Sequence, residues 1–154
     1  MQRRTFLKGS LASTTVAVAV GAGLLSPQAV LAAWPKDAFA AKSVQDALTA
    51  IYGSDATSPS GDLNIKAPDI AENGAVVPVT VSSSIPGITD IAIIVEKNGT
   101  PLAANFKLSS SSKGFVATRI KMGKTSNVIA VVKAGGKSYS ARKDVKVTIG
   151  GCGG

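Results

Sequence analysis

The chain of 154 residues contains no histidine, a single cysteine and few aromatic residues, 5% in all. Each scarcity excludes a class of chemistry. Without histidine there is no Ser-His-Asp triad, no Cys-His pair, no histidine-based zinc or haem site and no imidazole acid–base group. One cysteine permits neither an internal disulfide nor a CxxC redox or zinc motif. The nine Asp and Glu residues form no cluster along the sequence. So few aromatics argue against a stacking platform for single-stranded nucleic acid. The length suits one domain, or one domain with a leader.

The leader is legible. Arg3-Arg4-Thr5-Phe6-Leu7-Lys8 opens an uncharged, mostly apolar stretch that runs from Gly9 to Ala33. Small and compact residues at Val30-Leu31-Ala32 form an exit of the kind that signal peptidases cut. Residues 1–32 therefore read as a signal peptide, with cleavage after Ala32 or Ala33. A transmembrane anchor is the competing interpretation. Gly21, Gly23, Ser13, Thr14, Thr15 and Pro27 make the stretch too weakly apolar for one. Twin arginines followed by Phe-Leu-Lys match the Tat export signal, which carries folded cargo, so a periplasmic address is expected. Three of the 17 basic residues and none of the acidic ones lie in this leader. What remains is basic without being extreme. Neither the compartment nor the spacing of Lys and Arg suits a nucleic-acid protein. Attraction for a small anion or an acidic partner stays open.

Beyond the leader, one helix is predicted over Ser43 to Gly53. Ser43 can cap it, Asp46 stands at the capping-box position, Val44, Leu48 and Ile51 share a face, and Gly53 ends it. Residues 54–62 are loop by composition. From Leu63 the period becomes two. Runs at Leu63–Ala67, Ala75–Val81, Ile91–Val95, Asn105–Leu108, Val116–Ile120, Val128–Val132 and Tyr139–Ile149 make about seven strands. Asn98-Gly99 and Ala134-Gly135-Gly136 are turns between them. Pro78 cannot donate to a ladder, which suggests an edge or bulged strand. The pattern is that of an antiparallel immunoglobulin-like β-sandwich over residues 33–149. Val128 to Val132 is apolar on both faces, so Ile129 and Val131 need a cover outside the sandwich. The helix and a second subunit both qualify.

The chain ends Gly150-Gly151-Cys152-Gly153-Gly154. Glycine has no side chain to pack and the greatest backbone freedom, so residues 150–154 read as a flexible arm presenting the Cys152 thiol. The span from Ile149 to Cys152 is about 10 Å when extended. Such an arm can enter a narrow cleft on another protein, but it is poorly suited to hold an active site of its own. No neighbouring residue lowers the thiol pKa, and a free thiol is only a few per cent thiolate at neutral pH. Cys152 thus reads as an attachment point acted on by partner enzymes. The alternative is an immunoglobulin-like binding or structural module whose tail cysteine forms an intermolecular disulfide. An idle tail cysteine, a lipidated one and a ubiquitin-like carrier with a C-terminal thiocarboxylate fit less well.

The Gly-Gly-Cys-Gly-Gly end and the Tat-type leader resemble the SoxY family, the sulfur-carrier subunits of the bacterial Sox thiosulfate-oxidising system. So do Trp34-Pro35-Lys36, the stretch from Lys66 to Gly74, the stretch from Arg119 to Ser126, and the Ala134-Gly135-Gly136 turn. The resemblance covers nearly all of the chain after the leader. It implies a carrier with no cofactor of its own, holding sulfur-oxidation intermediates on Cys152. It also implies a heterodimer with a SoxZ-like subunit. The expected enzymes are SoxAX, which joins thiosulfate to the thiol, SoxB, which hydrolyses the adduct, and SoxCD, which oxidises the outer sulfur. With a SoxZ-like partner expected, the Ile129 and Val131 face is the favoured subunit interface, widened on the Ile94 side.

Overall fold

The computed structural model describes residues 35–148. The leader and the Gly-Cys-Gly arm lie outside the described residues. Among the described residues two helices come first: α1 (Lys36–Ala40) and α2 (Val44–Tyr52). Nine strands follow: β1 (Ser58–Pro59), β2 (Leu63–Lys66), β3 (Ile70–Ala71), β4 (Val77–Ser83), β5 (Ile88–Val95), β6 (Leu102–Lys107), β7 (Phe115–Ile120), β8 (Ser126–Ala134) and β9 (Lys137–Val147).

Helix α2 forms for the reasons its sequence supplies. The Ser43 hydroxyl accepts the Asp46 amide at 3.0 Å, and Gly53 takes a left-handed φ of 77° while its amide closes on Thr49 O at 2.8 Å. Helix α1 was not anticipated, because five residues are too few to show a helical period.

The strands make two sheets. One has the order β2-β4-β7, the other β1-β9-β8-β5-β6, with β3 also pairing to β9. Among the seven longer strands the chain crosses between the sheets at β4–β5, β6–β7 and β7–β8, as in immunoglobulin-like sandwiches. The seven longer strands are the seven runs read from the sequence, although β5 and β6 begin earlier than expected, at Ile88 and Leu102. The loop expected over 54–62 contains β1, two residues held parallel to β9. Strand β4 is not at an edge: it is central in its sheet. Its ladder with β2 ends at Thr80, however, so Pro78 has a strand neighbour on one side only, Arg119 of β7. The β8–β9 hairpin turns on Gly135 and Gly136, with φ of 55° and 78°, and brings Ala134 opposite Lys137.

Two apolar cores result. Between the sheets lie Val77, Val79 and Val81 of β4, Ile91, Ile93 and Val95 of β5, and Val128, Ala130 and Val132 of β8. On the other face of the larger sheet, Ala92, Ile94, Ile129 and Val131 pack with Ala38 of α1 and Ala47 and Leu48 of α2. This corrects the favoured reading of the Ile129 and Val131 face. It is not an open subunit interface: the two helices cover it, and Ile129 is 3% and Val131 0% exposed. Burying each such side chain contributes up to about 1.5–3 kcal/mol, which is what fastens the helices to the sheet.

Candidate functional site: the root of the C-terminal arm

The arm continues from β9, so the site is built from what holds the end of that strand. Strand β8 accompanies β9 as far as Ser126 opposite Val145. Beyond that point β9 finds other partners on both sides. On one side β3 pairs in parallel, Ile70 with Lys146 and Ala71 with Val147. The Lys146 amide donates to Asp69 O at 2.9 Å, and the Thr148 amide to Ala71 O at 3.1 Å. On the other side the Thr125 hydroxyl takes the place of a strand. It accepts the Val147 amide at 2.9 Å and lies 3.5 Å from Val147 O. The backbone is therefore satisfied up to Thr148, which gives the arm a fixed point of departure.

The loops behind this root are tied to one another. Asn73 accepts the Ala75 amide through Oδ1 at 2.9 Å, an Asx turn that brings Gly74 against the β7–β8 loop. The Met122 amide donates to Gly74 O at 2.6 Å. A Cβ at Gly74 would collide with the Met122 carbonyl and stand 2.9 Å from Val147 Cγ1, so this approach requires glycine. Asn98 makes a second tie: its Nδ2 donates to Lys121 O at 2.8 Å and its Oδ1 accepts the Gly123 amide at 2.9 Å.

Charge near the root is mostly positive. Lys121, Lys124 and Lys146 are exposed and form no ion pair among the described residues. Lys143 holds Asp69 at 2.7 Å. The hydrogen bond from Lys143, and then its charge, draw the Asp69 carboxyl below the usual carboxylate range. Far from the root, Tyr52 is pushed well up, first by burial and then by the charge of Asp90. Asp90 is itself nearly buried and is paired with Lys107 across the β5–β6 ladder. Among the described residues, no group of three or more acidic or thiol side chains could hold a metal.

Cys152 and the flanking Gly150, Gly151, Gly153 and Gly154 lie outside the described residues. The root residues Thr125 and Gly74 were not read from the sequence as parts of the site. Their partners are 22 or more positions away, and only the fold brings them together.

This architecture defines an immunoglobulin-like β-sandwich whose last strand, anchored on both sides, leads into a tail with the chain's single thiol. The family model for sulfur oxidation protein SoxY matches residues 48–152, and the chain belongs to that family. Among solved structures, it is similar to the sulfur carrier protein SoxY from Chlorobium limicola f thiosulfatophilum. Identity is 49%, the TM-score 0.63, and the match covers 69% of this chain and 96% of that one. A CARDB domain from Pyrococcus furiosus is a remote match, with 18% identity and a TM-score of 0.36 over 60% of this chain and 96% of its own. A search of curated proteins gave no match.

Proposed function

We propose that this protein is a periplasmic carrier of sulfur-oxidation intermediates, with substrate bound covalently to the Cys152 thiol. The observation that carries the reading is that the SoxY family match runs to residue 152, the chain's only cysteine. Export of a folded protein through the Tat pathway fits the Arg3-Arg4 leader and allows a bound SoxZ-like subunit to travel with it.

The chemistry balances as follows. The thiol and thiosulfate lose one proton and two electrons, and an S–S bond forms to give a cysteine S-thiosulfonate. A SoxAX-type haem enzyme is the electron acceptor. Water then cleaves the bond between the outer sulfur and the sulfonate. Sulfate and a proton leave, and a persulfide remains on Cys152; this is the step for a SoxB-type hydrolase. A SoxCD-type dehydrogenase removes six electrons from the outer sulfur while three waters supply its oxygens, giving an S-sulfonate. A second hydrolysis releases sulfate and restores the thiol. None of these steps needs a catalytic side chain from the carrier, whose task is to present one sulfur to several active sites.

The root geometry supports this division of labour. Anchoring ends at Thr148, and four residues span up to about 14 Å to Cys152. The test is reconstituted thiosulfate oxidation with Cys152→Ser. We expect complete loss of turnover with an unchanged fold. Full turnover by the serine variant would overturn the reading. So would a stable Cys152–Cys152 dimer as the sole species during turnover, which is the alternative role of the thiol.

A further inference from the structure

Three side-chain oxygens near the end of helix α2 are sealed from solvent and have no hydrogen-bond partner among the described residues: Tyr52 Oη, Asp90 Oδ1 and Asn105 Oδ1. The fold brings them to one place. In the β5–β6 ladder Asp90 stands opposite Lys107 and Ala92 opposite Asn105, so Asp90 and Asn105 are diagonal neighbours on one face of the sheet. That face is the one the helices cover, since Ala92 packs with Ala47 and Leu48 of α2. Tyr52 is the last residue of α2 and packs there as well, where its phenol feels the charge of Asp90. We propose that these three oxygens hold one internal water molecule, which ties the end of α2 to strands β5 and β6. The site lies away from the arm, and the inference is independent of the carrier reading.

The chemistry of the three atoms selects the ligand. Asp90 Oδ1 and Asn105 Oδ1 only accept, whereas the Tyr52 hydroxyl can donate. Burial, and then the charge of Asp90, push the Tyr52 phenol upward, so its proton stays in place. A water molecule gives two hydrogens and receives one, which matches two acceptors and one donor. A metal cation fits badly. The Lys107 ammonium already stands beside Asp90 Oδ1 as its counter-charge, although it makes no directed hydrogen bond to that oxygen. Lys133, opposite Asp90 in the β5–β8 ladder, sets a second ammonium 5.5 Å from the centre of the Tyr52 ring. Another positive charge between them would be repelled. Left unpaired, three buried polar atoms would weigh heavily against a fold of ordinary marginal stability.

The sign of one Tm shift tests the proposal. A buried hydroxyl without a partner destabilises the fold, so its removal in Tyr52→Phe would raise the Tm. A hydroxyl that donates to a held water stabilises it, so Tyr52→Phe should lower the Tm, by about 3–6 °C for a domain of this size. This variant keeps the ring beneath Lys133, so the packing is preserved. Asn105→Leu removes an acceptor from the same water and should also lower the Tm. Because the two side chains act through one molecule, the double variant should lose less than the sum of the single losses. The water itself is read in a crystal structure of the mature chain at a resolution that shows ordered solvent. In solution, magnetic relaxation dispersion of the water signal counts long-lived internal waters, and the double variant should hold one fewer. A higher Tm in Tyr52→Phe would overturn the proposal, as would additive losses in the double variant. So would a crystal structure in which Tyr52 bonds Asp90 directly, a metal ion bridges the three oxygens, or no ordered water lies between them. Should Asn105→Leu fail to fold, the sign of the Tyr52→Phe shift and the crystal structure decide the matter.

Discussion

Replacing Gly74 by alanine tests whether the root of the arm is a packed joint. The residue does not need glycine for its dihedral angles, since its φ is not positive. It needs glycine for space. The added methyl would collide with the Met122 carbonyl, a backbone atom with little room to yield, and crowd Val147 Cγ1 at 2.9 Å. Relief requires separating the β3–β4 loop from the β7–β8 loop, which stretches the 2.6 Å bond from the Met122 amide to Gly74 O. Overpacking of this kind costs about 1–3 kcal/mol. The less flexible unfolded chain returns about 0.4–1 kcal/mol. A net loss of about 1–2 kcal/mol follows, or about 4–8 °C in Tm for a domain of this size. Gly61→Ala is the control, because a Cβ there meets nothing within 4 Å and its φ is also not positive. Urea and thermal unfolding of both variants decide the matter. Equal stability of Gly74→Ala and Gly61→Ala would refute the account of the joint.

Three further outcomes are expected. Ile129→Asp or Val131→Asp places a carboxylate under α1 and α2, so the isolated subunit should be destabilised by about 3 kcal/mol or more in chemical unfolding, with or without a partner chain. Asp69 has its folded pKa held down by Lys143, so its contribution is present above the unfolded carboxylate range and is lost as pH falls through the lower folded value. In Lys143→Met, the Asp69 titration followed by carboxyl NMR should return upward to the ordinary range. Gly151→Val and Gly153→Val should leave folding intact but slow turnover with partner enzymes, since a β-carbon there thickens the arm and narrows its backbone freedom; unchanged turnover would mean that the arm enters no tight cleft.

The regular strands were legible because burial imposes a period of two, and β8 announced its two covered faces through five consecutive apolar residues from Val128 to Val132. Which chain supplies the second cover was not legible. A helix face of Val44, Leu48 and Ile51 and a foreign subunit satisfy Ile129 and Val131 equally in sequence terms, and the packing of Ala38, Ala47 and Leu48 decides for the helices. The two-residue strands β1 and β3 carry no pattern of their own; they exist through parallel pairing with β9. Pro78 suggested an edge because it cannot donate, whereas the structure accommodates it where one neighbouring strand has already ended. For the site, the thiol among glycines is plain in the sequence. Its root is not, because Thr148 meets Ala71, 77 positions away, and Thr125 meets Val147, 22 positions away.

The central claim is that sulfur travels on Cys152, and intact-mass and peptide-mass spectrometry of the native protein from thiosulfate-oxidising cells tests it most directly. The account predicts mass increments of sulfane and sulfonate groups, confined to the C-terminal peptide that contains Cys152 and removed by a reducing agent. Sulfur found elsewhere in the chain, or a Cys152 thiol that stays unmodified during turnover, would contradict it.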